Sequence, residues 1–270
     1  KEANGGELPD DIPFMMLSNN TGNHIWDVFQ SNSNARLHID TEVDNTGELD
    51  VRVPCGTMLG ESEELVMIGG HHDTVYNGPG AVDDTSGTAT VLELATVYAG
   101  LMAENGQPKY TIRFCTWGGE EEGLWGSRSY VEAHSAELSD KLRLYLNFDM
   151  PHVDKDLANR GNNVWFYAIN KDDLSHLEGI IEQFKQERAE IADKYSISSG
   201  YMTPEDAQTT NCNSDHCPFA QNGNDVAGSY GGGSHEYHTY KDDMTRFNEE
   251  SLSVTGGILG TYGAYVAWGG

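Results

Sequence analysis

Five side chains of the kinds that bind metal ions occur in order along the chain, each within a short motif. They are His71 in GGHHDT, Asp83 in GPGAVDDTSG, Glu121 in WGGEEEGLWGS, Asp149 in NFDM and His238 in EYHTY. Zinc accepts imidazole nitrogen and carboxylate oxygen as ligands, and one shared carboxylate lets such a set hold two ions. The sequence therefore predicts a centre for two zinc ions.

The motif around Glu121 carries three adjacent glutamates, Glu120, Glu121 and Glu122. Carboxylates packed at a buried strand end repel one another and resist ionisation unless cations lie nearby. A glutamate beside a metal ligand is also placed to act as a general base on water at the metal. We predict that Glu121 is a ligand and Glu120 the base; a solvated acidic turn is the alternative interpretation of this motif alone.

The neighbours of the other candidate ligands have roles of their own. In an extended segment His71 and Asp73 lie on the same side, so Asp73 is predicted to orient the imidazole, whereas His72 points the other way. Asp83 or Asp84 is a candidate bridge between the two metals, with the other acid or Thr85 capping the following helix, although capping is the favoured interpretation of this motif alone. The glycine-rich loop around them matches no phosphate-binding pattern.

Tyr237 precedes His238 and is a candidate hydrogen-bond donor to an oxyanion, although a histidine in an aromatic loop is more often structural. The adjacent residues Ser214, Asp215 and His216 suggest a hydrolase triad. That interpretation is discounted, because triad members are not neighbours in sequence and no GxSxG motif is present.

The elements that must position these residues alternate between strand and helix, which predicts an α/β fold. The predicted strands are residues 65–70, 109–117, 142–150 and 164–169, with a hairpin over 35–55 around Asn45, and the predicted helices are 22–32, 86–103, 125–134, 172–194 and 251–267. His71, the glutamate run and Asp149 each follow the carboxyl end of a predicted strand, the edge at which open α/β sheets bind ligands.

The length and charge of the chain limit the classes of partner that it can bind. With 270 residues, the chain is long enough for one large α/β domain or two small ones. Its formal charge of -27 makes it unsuited to nucleic acid or anionic membrane. The acidity fits either a protein from a salty environment or an ordinary acidic secreted enzyme. No apolar stretch is long enough for a transmembrane span, and no signal core occurs at the N-terminus, so we expect a secreted protein whose leader has been removed.

The cysteines form no CxxC pair, which argues against a cysteine-based zinc site. Cys212 and Cys217 are close enough for a local disulfide in an exported protein. Cys115 lies in the apolar run TIRFCTW and is expected to be a buried thiol.

Taken together, GGHHDT, GPGAVDDTSG, WGGEEEGLWGSRSYV, NFDM, SDHCPF and YHT resemble the motifs of the co-catalytic di-zinc exopeptidases, over residues 64–242. That family includes bacterial leucyl aminopeptidases, aminopeptidase Y and the glutamate carboxypeptidase II group. The resemblance implies a three-layer αβα sandwich around a mixed, mostly parallel sheet. It also implies that residues 1–270 form a single catalytic domain, without an inserted protease-associated domain.

The resemblance further implies a division of labour at the site. The first zinc would be held by His71, Asp83 and Asp149, and the second by Asp83, Glu121 and His238. Asp73 would orient His71, Tyr237 would stabilise the tetrahedral intermediate, and Glu120 would be the base acting on a water between the metals. Some relatives have a disulfide at Cys212 and Cys217, and some have arginine where this chain has Asn213. The third glutamate, Glu122, leaves open an alternative assignment in which Glu121 is the base and Glu122 the ligand.

The implied activity is aminopeptidase hydrolysis of peptides with a free N-terminus by a monomer. The alternatives are a zinc carboxypeptidase or aminoacylase, for which Arg160 or Arg246 would bind the substrate carboxylate, a glutaminyl cyclase with one zinc, and a non-enzymatic protein that keeps the fold. A calcium ion at residues 154–156 is a further hypothesis.

Overall fold

The computed structural model describes residues 17–40 and 50–270, and the chain divides into two compact units, residues 1–50 and 51–270. In the first unit, helix α1 spans Asn19–Ser31, and its N-terminus is capped by the Ser18 side chain. Residues 41–49 of the predicted hairpin lie outside the described residues. Its flanks, residues 35–40 and 50–54, form no strand.

The second unit is built on one seven-stranded sheet in the order β1-β3-β2-β4-β7-β5-β6. The strands are β1 Cys55–Met58, β2 Ser62–His71, β3 Tyr110–Trp117, β4 Leu142–Phe148, β5 Asn163–Ala168, β6 Ser196–Tyr201 and β7 Val226–Gly231. Pairs β2–β3, β2–β4, β4–β7 and β5–β6 are parallel, whereas β1–β3 and β5–β7 are antiparallel. The sheet is therefore mixed and mostly parallel, as predicted.

Helices cover both faces of this sheet. They are α2 Thr85–Asn105, α3 Trp125–Lys141, α4 Leu157–Arg160, α5 Lys171–Glu187, α6 Ala189–Ala192, α7 Pro204–Gln208, α8 His216–Gln221 and α9 Glu249–Trp268. Strand β2 shows the three layers: Val66 and Ile68 pack with α2, α5 and α9, while Leu65 and Met67 pack with α3, α7 and α8. Burial on both faces explains why its apolar run is continuous. The predicted αβα sandwich is confirmed.

The differences from the predicted elements have local causes. The helix predicted over 172–194 breaks at Arg188, which leaves the helical conformation with φ -127°. Strands β1, β6 and β7 were not predicted. In β7, two glycines, one alanine and one serine among the six residues of VAGSYG give a weak strand signal. This omission matters, since β7 leads into the loop that carries His238.

The prediction of a free Cys115 thiol is wrong. Cys115 is buried as expected, but it forms a disulfide with Cys55. The two residues lie directly opposite each other in the antiparallel pair β1–β3, a pairing that the predicted hairpin did not include. A second disulfide joins Cys212 and Cys217. Among the described residues, no helix combines the length and apolarity needed to cross a membrane.

Candidate metal centre

The predicted ligands meet at one edge of the sheet. Strands β3, β2, β4 and β7 are neighbours and run parallel, so their carboxyl ends lie side by side. His71 is the last residue of β2, the glutamate run follows β3, Asp149 follows β4, and His238 lies in the loop after β7. Asp83 reaches the same edge from the loop before α2.

The carboxylate of Asp83 lies between the two histidines. Its Oδ1 is 3.1 Å from Nε2 of His71, and its Oδ2 is 3.0 Å from Nε2 of His238. The side chain is 5% exposed. A carboxylate with one oxygen directed to each histidine is arranged as a bridge between two adjoining sites.

The remaining acids divide between those two sites. Glu121 Oε2 lies 3.0 Å from Nε2 of His238, while Asp149 Oδ1 lies 3.7 Å and Glu120 Oε2 4.0 Å from Nε2 of His71. The ligand atoms fall into two groups, each within 4.8 Å internally: His71, Glu120 and Asp149, and Asp83, Glu121 and His238. Glu120 is thus the more distant acid beside His71, and Glu122 belongs to neither group.

The side chain of Asp84 makes hydrogen bonds to backbone N–H groups of three surrounding segments. Its Oδ1 accepts hydrogen bonds from the N–H groups of Gly87 at 2.8 Å and Met150 at 3.0 Å, and its Oδ2 accepts one from the N–H of His71 at 3.2 Å. It therefore caps α2 and also fixes two segments that bear candidate ligands. A side chain at position 87 would collide with the Phe148 carbonyl, so glycine is needed where α2 starts against β4.

Asp73 joins His71 to the glutamate run. Its two oxygens accept the N–H groups of Glu120 and Glu121, each at 3.1 Å. Its Oδ1 lies 3.7 Å from Nδ1 of His71, and this nitrogen also lies 3.1 Å from the Asp73 carbonyl oxygen. Asp73 consequently holds the glutamate turn as well as the histidine, a contact that the sequence pattern did not predict.

The ends of the site contain residues in the left-handed region of backbone space. His238 has φ 60° and Met150, next to Asp149, has φ 48°. Non-glycine residues in this region carry a conformational cost, and such residues concentrate at functional sites. Tyr237 is 40% exposed, and its ring stacks on His238 with 3.7 Å between centroids.

The carboxyl groups of the site are buried close together, so a bound cation would stabilise their ionised forms. Burial, together with the charge of Asp149, raises the pKa of Glu120 to about 9, and burial with Asp83 raises that of Glu121 to about 8. Burial alone would lower the pKa of His71, but its contacts with Asp149 and other carboxylates raise it well above the ordinary value. In the described residues, only His71 and His238 form ion pairs with these acids.

The residues present fit zinc. In a tetrahedral site with bonds of about 2.0–2.1 Å, neighbouring ligand atoms lie roughly 3.3 Å apart, close to the separations around Asp83. Oε1 of Glu121 is buried and has no hydrogen-bond partner in residues 17–40 and 50–270, which costs free energy unless a cation contacts it. Nitrogen and oxygen donors without thiolates are also typical of catalytic rather than structural zinc sites.

Ser214, Asp215 and His216, the residues of the discounted triad, are buried. Ser214 accepts a hydrogen bond from Asn147, and Nε2 of His216 contacts the carbonyl of Asn211, so the described contacts contain no serine–histidine pair of a triad. Asp215 is 1% exposed, and burial raises its pKa to about 7. In the sequence, Asp215 was named only in the discounted triad and in the motif SDHCPF.

Residues 55–262 match the sequence profile of peptidase family M28. The chain belongs to this family. M28 is a family of co-catalytic zinc exopeptidases, which confirms the family resemblance inferred from the motifs.

Individual relatives match parts of the chain. It is 38% identical over 115 residues to an aminopeptidase of Pseudomonas aeruginosa, covering 43% of this chain and 20% of that protein. It is 31% identical over 232 residues to leupeptin-inactivating enzyme 1 of Streptomyces exfoliatus, covering 77% and 46%. The solved aminopeptidase from Aneurinibacillus sp. strain AM-1 superimposes with TM-score 0.60 and 25% identity, covering 79% and 47%. The chain spans less than half the length of these relatives.

Proposed function

We propose that this chain is a zinc aminopeptidase that removes N-terminal residues from peptides, with residues 1–270 acting as one catalytic domain. The observation that carries the proposal is the position of Asp83 between His71 and His238, with oxygens 3.1 and 3.0 Å from their Nε2 atoms. A shared carboxylate with a histidine on either side supplies ligand types that suit two adjoining zinc ions. Relatives named as aminopeptidases support the same activity.

Two zinc ions would be held by the five candidate ligands. His71, Asp83 and Asp149 would bind the first, and Asp83, Glu121 and His238 the second. Bound zinc would supply Lewis acidity to a substrate carbonyl and to water. The negative charge of the acidic site would attract the α-amine of a peptide with a free N-terminus.

Glu120 would move the proton. Its Oε2 lies 4.0 Å from the His71 imidazole, farther than the Asp149 oxygen at 3.7 Å, so Glu120 adjoins the proposed ligands and is the more distant of the two acids. The carboxylate would accept a proton from the attacking water and return it to the leaving amine. Its N–H donates to Asp73 at 3.1 Å, so the backbone of the base is fixed.

Tyr237 would stabilise the charge that develops on the substrate carbonyl. Its ring stacks on His238, a proposed ligand, and the residue remains partly exposed. A hydroxyl donor held at the position of a forming oxyanion lowers the barrier to acyl transfer.

The alternatives are less well supported. For a carboxypeptidase or aminoacylase, Arg246 would have to bind the substrate carboxylate, but its Nη2 donates to Glu236 at 2.8 Å and its Nη1 lies 3.9 Å from Asp154. Arg160 donates to the Ser234 carbonyl. The guanidinium of Arg246 also occupies the position beside Asp154, so calcium at residues 154–156 gains no support. A one-zinc cyclase does not account for the second ligand group.

The two disulfides support a place of action in an oxidising compartment, because such bonds persist outside the cytosol. We therefore propose a secreted enzyme. The strong acidity remains compatible with a salty environment.

The decisive experiment compares leucyl-p-nitroanilide with its N-acetylated form, with and without a zinc chelator. The proposal predicts cleavage of only the free-amine substrate, lost on chelation and restored by zinc. Absence of cleavage of both substrates by protein that contains two zinc ions would reject the aminopeptidase activity and favour another amidohydrolase.

A further inference from the structure

One buried aspartate outside the ligand set holds the segment that contains Asp83. Asp242 lies in the loop after β7, four residues beyond His238, and is 2% exposed. Three successive N–H groups donate to it: Ala81 to its carbonyl oxygen at 3.0 Å, Val82 to Oδ1 at 2.9 Å and Asp83 to Oδ2 at 3.1 Å. A single residue thus satisfies the backbone on the N-terminal side of the shared ligand.

The same residue is fixed within the loop that carries His238. Its N–H donates to the Thr239 carbonyl at 3.1 Å, and the loop is anchored again where Glu236 pairs with Arg246 at 2.8 Å. His238 and the segment of Asp83 are therefore held by one residue. Since Oδ2 of Asp83 lies 3.0 Å from Nε2 of His238, the contacts of Asp242 help to set that separation.

We propose that Asp242 is a positioning residue for the ligand group formed by Asp83, Glu121 and His238. A carboxylate is suited to this role because it accepts two N–H groups at once and donates none. An asparagine side chain offers one acceptor oxygen and directs an NH₂ group at the second N–H. This inference rests on the proposed zinc centre.

The test measures stepwise metal affinity and does not depend on turnover. The zinc-free protein is titrated with zinc against a competing chelator, and with Co²⁺ by visible absorption, for the wild type and Asp242→Asn. The expected result is a loss of about 10- to 100-fold in at least one of the two affinities, the usual effect of losing a partner that orients a ligand.

Asp243→Asn is the matched control. Asp243 is the next residue in the same loop, and within the described part of the chain its carboxylate accepts hydrogen bonds only from Thr245. Both affinities are therefore expected to equal those of the wild type. A residue that only stabilised the fold would lower the unfolding midpoint of the zinc-free protein and leave the affinities unchanged.

Circular dichroism of the zinc-free proteins checks that the variants are folded. Should Asp242→Asn not fold, Asp242→Glu keeps both acceptor oxygens on a side chain one methylene longer, and we expect it to weaken the same affinity. Wild-type affinities in the folded variant would overturn the role of Asp242 while leaving the zinc centre intact. A wild-type protein that binds neither zinc nor Co²⁺ would overturn the proposed function and this inference together.

Discussion

Oδ2 of Asp83 lies 3.0 Å from Nε2 of His238, although the two residues come from opposite halves of the chain. One belongs to the loop before α2 and the other to the loop after β7. Their contact joins the two candidate ligand groups, because the other oxygen of Asp83 faces His71. The predictions below depend on this shared carboxylate and on the side chains around it.

Replacing Glu120 with Gln is expected to reduce kcat by about 10²- to 10⁴-fold, the range attributed to a general base. The amide is nearly the same size but cannot take the proton. Zinc content, measured by elemental analysis, should stay close to that of the wild type, since Glu120 is not a proposed ligand.

Glu122→Gln is the matched control for that variant, because Glu122 is exposed and outside both ligand groups. It should retain nearly full turnover. The opposite result, with Glu122→Gln inactive and Glu120→Gln active, would shift the assignment of base and ligand by one residue.

Tyr237→Phe should lower kcat by roughly 10²- to 10³-fold with little change in KM, since a donor to the oxyanion acts mainly in the transition state. The phenyl ring still stacks on His238. Steady-state kinetics with leucyl-p-nitroanilide measures the effect, and Tyr240→Phe, at an exposed tyrosine nearby, serves as the comparison. An unchanged kcat in Tyr237→Phe excludes the hydroxyl from catalysis.

The zinc-free protein should lose stability as the pH rises. The pKa of Glu121 is raised from 4.5 to about 8 and that of Glu120 from 4.5 to about 9. At a pH between the ordinary pKa and the raised pKa of each group, the folded state therefore binds more protons than the unfolded state. The slope of unfolding free energy with pH is then negative. The associated stability is complete below about pH 4.5 and is lost as the pH rises through the folded pKa values. The raised pKa of His71 acts in the same direction.

Thermal unfolding midpoints from pH 5 to 9, with and without zinc, check this dependence. Zinc binds the deprotonated ligands, so the loaded protein should show a flatter profile or one that rises with pH. We also expect zinc binding at neutral pH to release protons. Calorimetry in buffers of different ionisation enthalpy measures that release. A midpoint of the zinc-free protein that increases over this range would contradict the burial of these carboxyls.

Loss of the Cys55–Cys115 disulfide should destabilise the protein more than loss of Cys212–Cys217. The first spans 60 residues of sequence and the second 5. On the chain-entropy account the first contributes roughly 4 kcal/mol and the second roughly 2 kcal/mol. The double Cys→Ser variants of each pair, compared by chemical unfolding, measure the difference, and mass spectrometry after alkylation of the unreduced, denatured protein should find no free thiol.

The sequence by itself determined which side chains are candidates for metal binding at the site. The order of GGHHDT, GPGAVDDTSG, WGGEEEGLWGS, NFDM and YHT was sufficient to name the candidate ligands, because ligand type is a property of single side chains and their near neighbours. The fold class also followed from the alternation of apolar runs and helical periods, since a strand buried on both faces, such as β2, reads as a continuous apolar segment.

Contacts between distant segments were decided only by the tertiary structure. Strand β7 had a weak local signal, yet its place beside β4 brings the His238 loop to the site. Cys55 meets Cys115 because β1 pairs with β3. Asp73, Asp84 and Asp242 accept backbone N–H groups from remote ligand segments. Such contacts depend on which strands become neighbours, and a residue pattern along one segment carries no information about its partner across the sheet.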